Sequence, residues 1–224
     1  MRTKVKLKKQ QIKEDKFTNF ILQAREWVSD NWQVVAIGAG AVVLVVVGTV
    51  YYFRMRANKA IDGDNRLSQA MGEIRSQNYQ VAIVDLKNLS DEFGGETGST
   101  ALFTLGNAYY DSKNYDEAIN TFNKYLDDYK SEDNVQSASA IAGIAASLEC
   151  KQEFLAAGDK FVEALTKYPN APSADDYYLG AIRNYVQGGD KQKADKMLAE
   201  MQEKFPQTDY LRTATRLTMQ LKTN

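Results

Sequence analysis

Residues 32–53 form a run of twenty-two residues without a charge, and charged residues return at Arg54 and Arg56. As an α-helix this run would be about 33 Å long, enough to cross a bilayer core of about 30 Å. Eleven of its residues are Val, Ile, Leu or Phe, which all favour membrane insertion. A buried β-strand would need only about 4 to 8 residues. The pattern therefore predicts a transmembrane helix over residues 32–53.

A cleaved signal peptide is the main alternative for this run. A signal peptide has an apolar region of about 7 to 15 residues, followed by small residues that guide cleavage. Here a 31-residue tail comes first, and the run ends in Val50–Phe53, which offers no small residue. Trp32 at one end and Tyr51 and Tyr52 at the other match the aromatic belts of a retained helix. We interpret residues 32–53 as an uncleaved anchor.

The tail, residues 1–31, has two parts. Residues 1–13 are basic with no acid, and we expect them to act as a positive-inside signal attracted to anionic lipid. Contact with ribosomal RNA or another acidic partner is the alternative. The apolar residues that follow recur at helical spacing and predict an amphipathic lead-in helix in the membrane interface, a partner-binding helix being the alternative. These residues are Phe17, Phe20, Ile21, Ala24, Trp27 and Val28.

One pattern recurs four times within residues 57–224. Its small position is Ala82, Ala118, Ala157 and Ala194, with spacings of 36, 39 and 37 residues. A turn pair precedes each alanine, at Gln77-Asn78, Lys113-Asn114, Lys151-Gln152 and Gly188-Gly189. The second copy is the clearest, with Leu105-Gly106, Tyr109, Ala118 and Phe122. The pattern resembles the tetratricopeptide repeat, a helix–turn–helix of about 34 residues, although no copy has the initial Trp.

This resemblance implies an all-α fold. We expect a single transmembrane helix followed by a tetratricopeptide-like α-solenoid of about four helical hairpins, with residues 208–222 as a C-terminal capping helix. Residues 62–65 mimic part of a calcium loop, but Leu67 stands where that loop requires Gly. We therefore interpret residues 62–65 as an N-capped helix start.

Charge and composition point away from catalysis and nucleic acid. Residues 1–31 carry a net charge of +4 and residues 57–224 a net charge of −7, and an acidic domain repels phosphate backbones. The chain has no His, so neither a Ser-His-Asp set nor an H-E-x-x-H zinc site is possible. The single Cys150 allows no intrachain disulfide. We predict a binding protein that is not an enzyme and needs no cofactor or metal.

The first helix of each hairpin lines the concave face of such a solenoid, where partners usually bind. The candidate partner-binding residues on that face are Leu67, Met71, Phe103, Asn107, Tyr110, Glu149, Leu179 and Arg183. The same residues would also serve ordinary packing between repeats. Phe103 and Tyr110 occupy two of the three places that form the asparagine clamp in chaperone-tail-binding tetratricopeptide domains, so we do not expect capture of a C-terminal carboxylate.

The whole layout resembles the ancillary SecYEG translocon subunit family of bacteria. Most of the similarity lies in EWVSDNWQVVAIGAGAVVLVVVGTVYYFRMR, residues 26–56. The resemblance implies an inner-membrane protein with a cytoplasmic N-terminus and a periplasmic repeat domain. Its partners would be translocon subunits, chaperones or exported clients. An organellar import receptor with cytosolic repeats and a homo-oligomeric scaffold in envelope assembly remain as alternatives.

Overall fold

A computed structural model describes residues 9–129 and 135–220 of the protein. Over these residues it contains ten α-helices and no strand. The helices are α1 (Lys9–Asp30), α2 (Trp32–Arg75), α3 (Tyr79–Glu92), α4 (Gly95–Asp111), α5 (Tyr115–Asp128), α6 (Val135–Cys150), α7 (Phe154–Lys167), α8 (Ala174–Gln187), α9 (Lys191–Lys204) and α10 (Tyr210–Gln220). The all-α expectation is confirmed.

The chain divides into two compact units, Met1–Lys59 and Ala60–Asn224. In the first unit, most apolar side chains of α1 from Phe17 onward and of residues 32–53 are exposed, as at Phe17 (68%) and Leu44 (74%). By length and composition, α2 is the one described helix that could cross a membrane. Predictions about residues 1–8 fall outside the described part of the chain.

The second unit is a series of helical hairpins. In each hairpin a first helix, here called the A helix, packs against a second, the B helix. The A helices are residues 60–75 of α2, then α4, α6 and α8, and the B helices are α3, α5, α7 and α9. The four recurrent alanines are all fully buried on the B helices, because each lies where two helices approach closely. The four predicted hairpins are confirmed.

All four turns inside the hairpins have the same backbone geometry. One residue in each turn has a positive φ, and these residues are Gln77 (62°), Lys113 (65°), Gln152 (64°) and Gly189 (77°). In the third turn, the Gln152 N–H donates to the Glu149 carbonyl and the Glu153 N–H to the Leu148 carbonyl, both at 2.9 Å. This is the Schellman arrangement, which satisfies the last carbonyls of the A helix. The predicted turns are confirmed.

Aromatic rings on B helices join neighbouring hairpins. The Phe122 ring on α5 is 1% exposed and lies between Gly106 on α4 and Gly143 on α6. A Cβ atom added to either glycine would lie 2.6 Å from a ring carbon of Phe122. In the next hairpin, the ring of Phe161 lies against Gly180 of α8 in the same way, with a corresponding distance of 2.8 Å. Glycine is therefore required by ring packing at these helix interfaces.

The core of the hairpins consists of two clusters of buried residues, the second of which ends at α10. Helix α6 links its two halves, since Ala140 and Ile144 pack with the preceding hairpins and Ile141 and Ala145 with the following ones. Helix α10 packs against α8 and α9, so a terminal helix is confirmed over residues 210–220. Of the rest of the predicted span, residues 208–209 precede the helix and residues 221–222 lie outside the described residues.

One local prediction is wrong. Residues 62–65 lie inside α2, which began at Trp32, so no helix starts there. The sequence contains no proline between residues 32 and 75 that would interrupt the helix. Gly63 has a packing role instead, because a Cβ atom there would lie 2.7 Å from the ring of Phe93.

Candidate partner-binding surface

Two adjoining cavities lie on the A helices of the first two hairpins. The first, of about 590 Å³, is lined by residues of α2 and α4 that include Asp64, Leu67 and Glu96. The second, of about 450 Å³, is lined by residues of the same two helices and by Gln136 of α6. Met71 and Thr100 line both cavities, so the two adjoin, and we call them together the A-face groove.

Four of the eight predicted residues line the A-face groove, namely Leu67, Met71, Phe103 and Asn107. Met71 is 40% exposed, and its flexible thioether side chain suits a surface that adapts to a partner. Phe103 is held in place from below, since its ring centroid lies 5.8 Å from that of Phe122 and 5.5 Å from that of Tyr125. The groove thus combines a fixed aromatic floor with an adaptable wall.

Two more predicted residues, Glu149 and Arg183, bind each other. The Arg183 guanidinium donates from Nε to Glu149 Oε1 at 2.6 Å and from Nη2 to Oε2 at 2.7 Å, which joins α6 to α8. Asn184 Nδ2 also donates to Glu149 Oε2, at 3.0 Å. Burial disfavours the charged carboxylate, but the hydrogen bonds from Arg183 and Asn184 outweigh it and hold the pKa of Glu149 below its ordinary value. This pair joins the third and fourth hairpins.

Tyr110 and Leu179 are placed outside the groove. The Cys150 thiol on α6 donates to the Tyr110 hydroxyl on α4 at 3.7 Å. Burial raises the pKa of Tyr110 to about 12. Leu179 is only 8% exposed and belongs to the core around α8. Little of the Leu179 side chain is therefore available to a partner.

Sequence reasoning missed several residues that line the groove, including Asp64, Arg75, Glu96 and Thr100. A signal for them existed. Thr97 Oγ1 donates to Asp64 Oδ1 at 3.1 Å, which pairs positions 33 residues apart on two successive A helices. Applying that offset along the two helices would have brought these positions together. Among the described residues, no three His, Cys, Asp or Glu side chains come together as metal ligands.

Comparison with known proteins identifies the repeats. Residues 99–131, covering most of α4 and α5, match a tetratricopeptide repeat model, and residues 176–208, covering α8 and α9, match a second. The second unit is a tetratricopeptide-like solenoid, two of whose hairpins match the repeat model. Such repeats bind other proteins, so the solenoid is a protein-interaction scaffold. No curated protein matches the chain.

Solved structures share the fold at low sequence identity. A tetratricopeptide repeat protein from Parabacteroides merdae is 13% identical with a TM-score of 0.60, over 72% of this chain and 60% of that one. The putative kinesin light chain repeats of Podosopora anserina are 10% identical with a TM-score of 0.54, over 71% and 84%. The MamA RS-1 ArsTM double mutant is 15% identical with a TM-score of 0.53, over 72% and 94%. The chain therefore spans less than two thirds of the Parabacteroides structure.

Proposed function

We propose that this protein is a single-pass membrane adaptor of the bacterial export machinery. Its N-terminus lies in the cytoplasm, and its tetratricopeptide solenoid lies in the periplasm. There the solenoid binds translocon subunits, chaperones or exported clients. The observation that carries the proposal is the combination, in one chain, of an uncovered apolar helix and a solenoid with an open groove on its A helices.

The apolar segment supports membrane anchoring through the surface that it leaves uncovered. Of the large apolar side chains from Val34 to Phe53, all but Val35 are more than half exposed, and none of the segment is buried by protein. The eleven Val, Ile, Leu and Phe residues each contribute roughly −0.3 to −0.6 kcal/mol to insertion, or about −3 to −7 kcal/mol together. A lipid bilayer is the environment that covers such a surface.

The A-face groove supports the adaptor role because its apolar lining remains open to a partner. Leu67 and Phe103 anchor one side each to the core and present the other to the groove. Cavities of about 590 and 450 Å³ lie within the size range of protein ligand sites. The Glu149–Arg183 pair joins the third and fourth hairpins, outside the groove.

Orientation is tested by labelling Cys150, the only cysteine, whose side chain is exposed. We expect a membrane-impermeant maleimide to label Cys150 equally in intact and lysed bacteria. A Cys150→Ser variant controls for background labelling. Labelling only after lysis would place the solenoid in the cytoplasm and overturn the proposed orientation.

Partner identity is tested with a photo-crosslinking amino acid at Met71, which lines both cavities. The matched control carries the same amino acid at Asn120, an exposed position on the B helix α5. We expect crosslinks to translocon subunits, chaperones or exported clients from position 71 and far fewer from position 120. A dominant crosslink to a second copy would favour the homo-oligomeric scaffold instead. Protease digestion of the solenoid from outside intact organelles would favour the import receptor.

A further inference from the structure

The A-face groove runs along two helices that point in the same direction. The first cavity involves α2 residues 60–71 and α4 residues 96–100, and the second involves residues 71–75 and 100–107. Both helices therefore advance together along the groove. From Asp64 to Arg75 its length is about 17 Å, at 1.5 Å per helical residue.

The two ends of the groove carry opposite charge. At one end the charged lining residues are Asp64 and Glu96, both exposed acids. At the other end Arg75 is the charged lining residue, beside the amides of Asn107 and Gln136. Within residues 9–129 and 135–220, neither Glu96 nor Arg75 forms an ion pair. Both charges are therefore available to a ligand.

The middle of the groove is apolar but edged with hydroxyl groups. Leu67, Met71, Ile74 and Phe103 supply the apolar surface. The hydroxyl groups belong to Ser68, Thr97, Thr100 and Thr104. An extended peptide has unpaired backbone N–H and C=O groups that need such partners, whereas a helix satisfies its own. The lining therefore suits an extended segment.

We propose that the A-face groove binds an extended internal segment of about five residues, at about 3.3 Å per residue over the groove length. The segment carries a basic side chain beside Glu96, apolar side chains over Met71 and Phe103, and an acidic side chain beside Arg75. This inference rests on the proposed function, because it specifies the protein segment that the adaptor recognises.

The test measures fluorescence anisotropy of labelled peptides with the full chain in lipid nanodiscs. The probe is Lys-Leu-Phe-Leu-Glu, called the Lys peptide, and the comparison peptide is Glu-Leu-Phe-Leu-Glu. Both termini of each peptide are blocked. We expect the wild-type protein to prefer the Lys peptide by about fivefold, the upper range for an exposed ion pair. Glu96→Lys should remove this preference, because the new positive charge offsets the remaining charge of Asp64. The preference should weaken as salt is raised, because exposed charges are screened.

A matched control is Glu117→Lys on α5. Glu96 and Glu117 are both exposed acids in the first turn of their helices, so the substitution has similar effects on helix stability. We expect Glu117→Lys to keep the wild-type preference. Met71→Asp should weaken binding of both peptides about tenfold, since it places a charge in the apolar middle. Arg75→Glu provides a second charge reversal, tested with a peptide that ends in Lys, should Glu96→Lys fail to fold.

Three results would overturn the inference. The first is no binding of the Lys peptide after the signal from empty nanodiscs is subtracted. The second is an unchanged peptide preference in Glu96→Lys. The third is stronger binding of a peptide that has a free C-terminal carboxylate in place of its Glu. The proposed function fails separately. Crosslinks from position 71 to translocon subunits, with the peptide preference unchanged in Glu96→Lys, would leave the function standing without this inference. Loss of the preference in Glu96→Lys, with Cys150 not labelled in intact bacteria, would leave this inference standing without the proposed orientation.

Discussion

Gly143→Ala tests the packing of the Phe122 ring between two A helices. The new Cβ atom would lie 2.6 Å from Phe122 Cε2 and 2.7 Å from Cζ. The ring has no room to move away, because its other edge already packs closely against Gly106 of α4. An added Cβ atom on Gly106 would lie only 2.6 Å from Phe122 Cε1. The backbones of α4 and α6 must therefore separate to admit the methyl group.

The magnitude follows from two opposing effects. Overpacking of a filled interface costs about 1 to 3 kcal/mol. Replacing a helical Gly by Ala gains about 1 kcal/mol of helix propensity. We expect Gly143→Ala to lower the free energy of unfolding by about 1 kcal/mol. The matched control is Gly72→Ala in α2, where nothing lies within 4 Å of the added Cβ atom, so the gain of about 1 kcal/mol should appear alone.

The assay is urea unfolding of the solenoid in the detergent-solubilised full chain, followed by ellipticity at 222 nm. With a slope of about 2 kcal/mol per molar urea, the two variants should differ by about 1 M in midpoint, on opposite sides of wild type. Phe122→Leu should partly restore the stability of Gly143→Ala. One repeat earlier, Leu86 stands at the position of Phe122 and Thr104 at that of Gly143, so a smaller side chain there accompanies a larger residue on the facing helix. Equal stabilisation by both glycine substitutions would refute the close-packing argument.

Two further predictions concern the turns and the Glu149–Arg183 pair. Gln152→Gly should raise the free energy of unfolding by about 0.5 to 1 kcal/mol, since glycine adopts a φ of 64° without strain, and a lower urea midpoint would contradict it. Glu149→Gln should cost about 1 to 3 kcal/mol at pH 7 by leaving the guanidinium poorly paired. Because the pKa of Glu149 is lowered in the folded state, its stabilisation is present above about pH 4.3 and is lost as the pH falls through the folded pKa. Urea midpoints of wild type and variant should therefore converge in acid, and a constant gap would count against this.

The hairpins were predictable because they depend on local signals. Each of the four small alanines follows a turn at a fixed distance. A B helix can approach its A helix closely only if the residue at that position is small. Three of the four turns use a non-glycine residue at positive φ, yet the surrounding pattern still located them. The chain's periodicity therefore carried more information than any single turn residue.

The surface was harder to predict, because an A helix contacts both its own B helix and its neighbouring hairpins. Leu179 and Leu67 have similar apolar character, but α8 buries the former while α2 leaves the latter at the groove. Glu149 and Arg183 were both predicted to lie on the binding surface, although their separation of 34 residues is close to the offset between successive A helices and would have paired them with each other. Long-range placement decides these contacts.

The start of the solenoid was also misjudged, for a physical reason. Asp, Gly and Asn at residues 62–65 are typical of a helix N-cap. They can act as a cap only where a helix begins, and α2 is already helical before residue 62. A helix that enters from the apolar segment has its N–H groups already satisfied by the preceding turn. Gly63 is explained by the ring of Phe93 instead.

The identical turns leave the connections between hairpins and the lengths of the A helices as the places where the chain changes length. Each positive-φ residue lies five positions before its alanine, while the interval from an alanine to the next such residue varies as 31, 34 and 32. The connection at residues 168–173, between α7 and α8, is one such tolerant site. A reporter tag or a short spacer inserted after Asn170, which is exposed, would give a domain of altered reach whose hairpins still fold as before.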